Sequence, residues 1–264
     1  MDYTVVIGVI IGLIAVLGGM AAKGTSPAVL INPAAFLIII VGTVAAICNA
    51  FPKDELKRIP ALFKILVTDK KIDPVATIDK MVELSKQSRR DGLLSLQTVI
   101  DELEDPYLKK GMELILDGTD EQALRDYMET EIDMMEERHR AGALIFSQAG
   151  SYAPTLGVLG AVVGLIGALG DLQDMEKLGY SIAAAFVATL LGIFTGYVLW
   201  HPFANKLRRK SQEEVTVKTM ILEGLIHIQR GSNPTLLRDK MTAFLPPYLR
   251  SQMIEENREE TVDG

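Results

Sequence analysis

Two kinds of hydrophobic pattern alternate along the chain. Residues 4–22 read TVVIGVIIGLIAVLGGMAA, an apolar run without a charge, and a helix of roughly 20 such residues crosses a hydrocarbon core about 30 Å thick. This run predicts a first membrane span. A signal peptide places basic residues ahead of its apolar part, whereas only Asp2 stands there as a charge, so the span is expected to stay in the mature protein. A second uncharged stretch opens with Ser26-Pro27 and Asn32-Pro33 and becomes densely apolar over residues 34–47, predicting a span over about residues 33–51. A third span is predicted within residues 141–170 and a fourth within 180–203, joined by the short link 171–179. The spans thus pair into two hairpins.

Between the hairpins apolar residues recur at helical spacing among charges. Asp73 and Pro74 suit the cap and first position of a helix to about Arg90, with Val75, Ile78, Met81 and Val82 opposite Asp79, Lys80, Glu83 and Lys86. Shorter helices follow over about residues 93–103 and 106–116, the latter stopped by Gly118. Thr119 with Gln122 three residues on reads as a capping box. No proline breaks that helix before Pro154, so it is expected to run into the third span. Residues 206–230 likewise contain only Gly224 as a potential breaker, so the fourth span is expected to continue to Gly231. Asn233-Pro234 starts a last short helix to about Phe244, and residues 255–264 form an acidic tail. The fold class predicted is all-α: an integral membrane protein with four transmembrane helices and a helical cytoplasmic domain between spans two and three. Its segments are 1–51, 52–140, 141–204 and 205–264, and the outlying helices are expected to pack on the extended stalks of spans three and four.

Charge sets the orientation. Lys23 is the one basic residue of the first hairpin loop and Lys177 that of the second, beside Asp171, Asp174 and Glu176, while Lys53, Lys57, Arg58, Lys64, Lys70 and Lys71 follow span two, Arg138 and Arg140 precede span three, and Lys206, Arg208, Arg209 and Lys210 follow span four. Basic flanks face the cytoplasm, so both termini and the middle segment are expected there. The net charge of −7 gives no nucleic-acid footprint. Cys48 is the single cysteine, and His139, His201 and His227 are far apart, so neither a disulfide framework nor a metal site is expected. No nucleotide loop, HExxH or nucleophile elbow occurs; no cofactor and no enzymatic activity are predicted.

Small residues mark the later spans. Gly157, Gly160, Gly164 and Gly167 share one helical face, and Ala185, Thr189, Gly192 and Gly196 share another. Such faces admit close helix approach. Two stripes exceed what one hairpin contact needs, so at least one is expected to meet another subunit or partner. No Asp, Glu, Lys or Arg lies clearly within a span, although proton pathways generally use such a group; ion conduction would therefore need an acid from another polypeptide. Tyr152, Thr155, Thr189 and Thr195 offer neutral polar lining, and Pro154 and Pro202 perturb their helices. Each also has a local explanation, since membrane hydroxyls bond back to their own helix. Ser88-Arg89-Arg90-Asp91 exposes two guanidiniums, suited either to an acidic protein face or simply to solvent.

The order hairpin, large segment, hairpin, with SRRDGLLSLQ at residues 88–97, YAPTLGVLGAVVGLIGALG at 152–170 and AFVATLLGIFTGYVLWHPFANKL at 185–207, resembles the MotA family of bacterial flagellar motor stator subunits over essentially the whole chain. The resemblance implies an inner-membrane ring of five such subunits around two copies of a MotB-type partner. That partner supplies the aspartate missing here and a peptidoglycan-binding domain. Protonation of the aspartate would step the ring, and the cytoplasmic part would push a FliG-type rotor protein. By the same resemblance Pro154 and Pro202 match the two coupling prolines, Thr189 the polar residue facing the partner's acid, with Thr155 beside it, and Arg89, with Arg90, the rotor-engaging base. The family's acid eight residues on is Gln97 here; Asp101, Glu102 or Glu104 lies close enough to substitute. The stretch from Ala188 to Gly192 looks more like proton-driven than sodium-driven relatives. The alternatives are an ExbB/TolQ-like energiser of envelope transport, against which the first hairpin argues, and a non-conducting membrane scaffold.

Overall fold

The computed structural model describes residues 3–68, 73–170, 172–251 and 253; Lys70, Lys71, Asp171 and the acidic tail fall outside them. All regular structure among the described residues is helical: α1 (Thr4–Ala22), α2 (Pro33–Ala50), α3 (Ile59–Val67), α4 (Pro74–Asp91), α5 (Pro106–Leu116), α6 (Glu121–Gly170), α7 (Met175–Gln229) and α8 (Pro234–Thr242), with single turns between them. Helices α1, α2, α6 and α7 are long and apolar enough to cross a membrane. Spans three and four thus belong to helices that continue far beyond a bilayer's thickness.

Local chemistry explains most helix ends. Asn32 Oδ1 accepts the Ala35 N–H at 3.1 Å at the start of α2, and Asp73 Oδ1 accepts those of Val75 and Ala76 at 2.9 and 3.2 Å at the start of α4. Asp105 caps α5 in the same way. Side-chain oxygens at these positions satisfy N–H groups that a helix start leaves unpaired. After α5 and α7 the chain reverses through Gly118 and Gly231 at φ +78° and +64°, a region open to glycine.

Two expectations need correction. Asp120, not Thr119, caps α6, accepting the N–H groups of Gln122 and Ala123, both at 3.0 Å; a carboxylate at a helix start also meets the positive end of the backbone dipole. The segment expected as one helix over 93–103 is a 3₁₀ turn, Leu93–Leu96, and one α turn, Gln97–Ile100. Gly92 at φ +83° sets its direction, and Asp105 must turn extended to cap α5, so the helix has no room to lengthen.

The chain forms two compact units, residues 1–69 with 138–210 and residues 70–137 with 211–264. In the first, Ala35 and Ile39 of α2 pack with Ala153 and Ala188, while α3 contributes Leu66 to a cluster with Ala143, Phe146, Ala204 and Leu207. In the second, α4, α5 and α8 close over the stalk parts of α6 and α7, burying Met81, Leu84, Met112, Leu124, Met128 and Leu225 completely. Gly111 seats Leu225 and Met128, and Gly224 seats Met81 and Met241, where a Cβ would collide.

Candidate functional site

The small-residue faces of α6 and α7 meet each other. A Cβ on Gly157 would lie 2.9 Å from the Ala188 carbonyl oxygen and 3.1 Å from the Gly192 Cα. One on Gly160 would come within 3.0 Å of the Ala188 Cβ, and one on Gly164 within 3.2 Å of the Ala185 Cβ. Seen from α7, a Cβ on Gly192 would stand 2.7 Å from the Ala153 oxygen. A contact within the hairpin therefore brings the two stripes together as facing halves of one interface. Gly167 stands outside it, exposed and with open space where a Cβ would go.

Pro154 lies one turn below this interface, inside α6. It has no N–H to give the Gly150 carbonyl four residues back. Gly196 packs against that turn: a Cβ there would lie 2.8 Å from both the Gly150 oxygen and the Pro154 Cγ. The imidazole of His201 fills the space beside Gly150, and the Tyr197 ring meets it at a tilt, centroids 5.4 Å apart. Around Gly196, residues Thr195–Trp200 wind as a π-turn, which the apolar pattern did not reveal. Pro202, exposed two residues on, denies Val198 its ordinary helical hydrogen bond, and π-turns arise where that ladder is broken.

The hydroxyls take their local option. Thr155 donates to the Tyr152 carbonyl at 2.7 Å, Thr189 to Ala185 at 3.2 Å and Thr195 to Leu191 at 2.8 Å. Thr189 also belongs to the interface, its Cα 3.4 Å from where a Gly157 Cβ would be. Thr155 is exposed, Thr189 half-buried and Thr195 buried. Among the described residues no cluster of three His, Cys, Asp or Glu side chains is arranged to hold a metal.

In the second unit Arg89 and Arg90 end α4 and are exposed. Arg90 grips Asp91 with its Nε and Nη2 at 3.0 and 2.8 Å, and that hydrogen-bonded pairing raises the guanidinium's pKa and lowers the carboxyl's. Gln97 is exposed at the next turn, which Gln87 ties to α4 through the Ser95 carbonyl at 3.1 Å. Of the candidate acids, Asp101 already meets Lys109 at 3.2 Å, while Glu102 and Glu104 are exposed.

Ionic contacts that sequence reasoning missed join α6 to α7 in this unit. Arg125 meets Glu223 at 3.0 Å, and Arg230 forks onto Glu121 with Nε on Oε2 at 2.6 Å. The Arg230 hydrogen bond holds the Glu121 carboxyl below its usual range. Burial lowers the His227 pKa, and the ring pairs with the Ser232 hydroxyl at 3.0 Å. Tyr107, buried beneath the Lys218 ammonium, donates to the Met128 carbonyl at 3.2 Å. Alternating charges at i, i+4 spacing on α6 were the available signal, but their partners lie about a hundred residues away.

Comparison with known proteins matches residues 99–220 to the MotA/TolQ/ExbB proton channel family and residues 6–92 to the Motility protein A N-terminal family. Motility protein A of Bacillus subtilis (strain 168) is 47% identical over 260 residues, covering 97% of this chain and 95% of that protein. The flagellar MotAB stator complex from Bacillus subtilis contains a chain of like fold, with a TM-score of 0.90 at 47% identity over 96% of this chain and 99% of that one. A chain of C. jejuni MotAB matches with the same TM-score of 0.90 at 29% identity, over 94% of this chain and 97% of that one.

Proposed function

Because the chain belongs to the MotA/TolQ/ExbB proton channel family, we propose that it is the MotA-type stator subunit of a flagellar motor, which with a MotB-type partner converts ion flow into torque. The observation that carries this reading is the fold match across nearly the full length of both chains to the Bacillus subtilis stator complex. The chain is a membrane protein with four spanning helices. Its segments 1–51 and 141–204 are the membrane hairpins of a bacterial inner membrane, in contact with lipid, and 52–140 and 205–264 are cytoplasmic, a reading the basic flanks support. Five copies surround two copies of the partner, whose aspartate carries the proton that no acid of these spans can carry.

On this reading Pro154 and Pro202, with Thr155 and Thr189, couple ion movement to the packing of α6 against α7. Pro154 supports this most directly, since the acceptor it releases lies where Gly196 touches. Arg89 engages acidic faces of a FliG-type rotor, with Arg90 and Gln97 flanking it. Deletion of the gene, with restoration in trans, tests the proposal. Paralysed cells carrying normal filaments are expected. Normal swimming after removal of every other stator set would overturn it in favour of an ExbB-like role.

A further inference from the structure

Leu94, on the turn that follows α4, is 76% exposed, the most of any large hydrophobic side chain among the described residues of the second unit. A single exposed leucine is ordinary on a protein surface, but this one is held outward by a built support. Its neighbours Leu93 and Leu96 pack into the core, Leu96 completely, so the face left to residue 94 is the solvent side. The Ser95 hydroxyl donates to the Gly92 carbonyl at 2.7 Å, and Gln87 of α4 donates to the Ser95 carbonyl at 3.1 Å. These bonds lay the turn against the last turns of α4. Gly92, at φ +83°, makes the reversal between the two.

Cations stand close by. Lys86, Arg89 and Arg90 are exposed, and their i, i+3, i+4 spacing puts them on one side of α4. The acids near them are engaged, Asp91 by Arg90 at 2.8 Å and Glu83 by Lys80 at 2.9 Å. Three residues of chain lead from Asp91 to Leu94, at most about 11 Å when extended. Leucine and arginines therefore fit within one contact surface, which takes about 800 Å² of each partner. Interfaces of this kind bury apolar side chains at their centre and keep polar ones at the rim, and guanidiniums at the rim select carboxylates. We propose that Leu94 is the apolar anchor of the surface that also carries Arg89 and Arg90, and that its partner is an acidic protein face with an apolar pocket to receive it. This rests on reading the chain as a stator subunit, and it makes that face part of the rotor. To the charge contact at Arg89 it adds one that salt does not screen.

Leu94→Ser changes no charge, so it separates this contact from electrostatics. In a deletion strain carrying the variant, stall torque in bead assays is expected to fall several-fold, and Leu94→Met should recover most of it. Proton flux into vesicles bearing the complex with its partner, where no rotor is present, should match the wild type, as should the yield of that complex. A fall in flux or yield overturns the inference, because Leu94 would then serve the assembly itself. Wild-type torque in Leu94→Ser also overturns it and leaves the stator reading standing, whereas a wild-type gene that restores no rotation removes the stator reading. Contact is checked with a photoreactive side chain: Leu94→p-benzoylphenylalanine is expected to crosslink to the rotor protein when cells are illuminated. Adducts with other stator chains alone, or none, refute the proposed partner.

Discussion

Gly196 rests on the turn at Gly150 whose carbonyl Pro154 leaves without its helical donor, with a Cβ at position 196 excluded by a 2.8 Å approach to that oxygen. Gly196→Ala should therefore force α6 and α7 apart, at about 1–3 kcal/mol for overpacking a tight contact. Thermal unfolding of the purified complex is expected to show a lower midpoint. Gly167→Ala, at a position with open space, should leave the midpoint where it is; an equal drop at both sites would refute the assigned interface.

Pro154→Ala returns an N–H to the Gly150 carbonyl. Membrane insertion and complex yield should be preserved while torque falls, because the released acceptor at the Gly196 contact disappears. Bead assays on tethered cells across a range of loads check this, and wild-type torque throughout would reject a coupling role.

Thr189→Val keeps the side chain's shape and deletes the hydroxyl that bonds Ala185 at 3.2 Å. Proton flux into vesicles bearing the complex with its partner is expected to fall several-fold with assembly unchanged. Undiminished flux would mean that the hydroxyl serves only its own helix.

Charge reversal at the end of α4 should divide the two arginines. Arg89→Glu is expected to lower stall torque without altering proton flux, since this guanidinium is exposed at the helix end, where it can meet a rotor face. Arg90 is already held by Asp91 at 2.8 Å, so Arg90→Glu should act more weakly. Equal torque in Arg89→Glu and wild type would leave Arg89 an ordinary solvated charge.

Acid should loosen the second unit. The Glu121 carboxyl is held by Arg230 below its ordinary value of 4.5, so its contribution is complete above that value and lost as pH falls through the lower folded pKa. His227 has the same sign: burial depresses its pKa from 6.5, and protonation below that value opposes the fold. The thermal midpoint of the complex is expected to decline from pH 7 toward acid, with a shallower decline below pH 4.5 in Arg230→Gln, where Glu121 has lost its partner.

What was legible in the sequence was whatever the chain decides locally. Apolar runs and missing prolines defined the four spanning helices and their long extensions; Asp73 and Asn233 marked helix starts through side chains acting within a turn, and Gly118 and Gly231 marked helix ends through a backbone free to take positive φ. Thr119 reads in sequence as the cap of α6, but the Asp120 carboxylate, reaching two N–H groups, holds the position. The candidate site was only half readable. Spacing revealed that Gly157, Gly160 and Gly164 share a face, but that they meet Ala185, Ala188 and Gly192 of the same chain depends on the angle and register of two helices. The π-turns were hidden for a similar reason: an extra residue in a turn leaves the apolar composition unchanged.

Helix α1 contains no buried residue. It touches α7 where Gly12 admits Val198 and Phe194, and Lys206 donates to the Thr4 hydroxyl at 2.6 Å. A span held in this way adjusts its tilt to the thickness of the hydrocarbon it crosses.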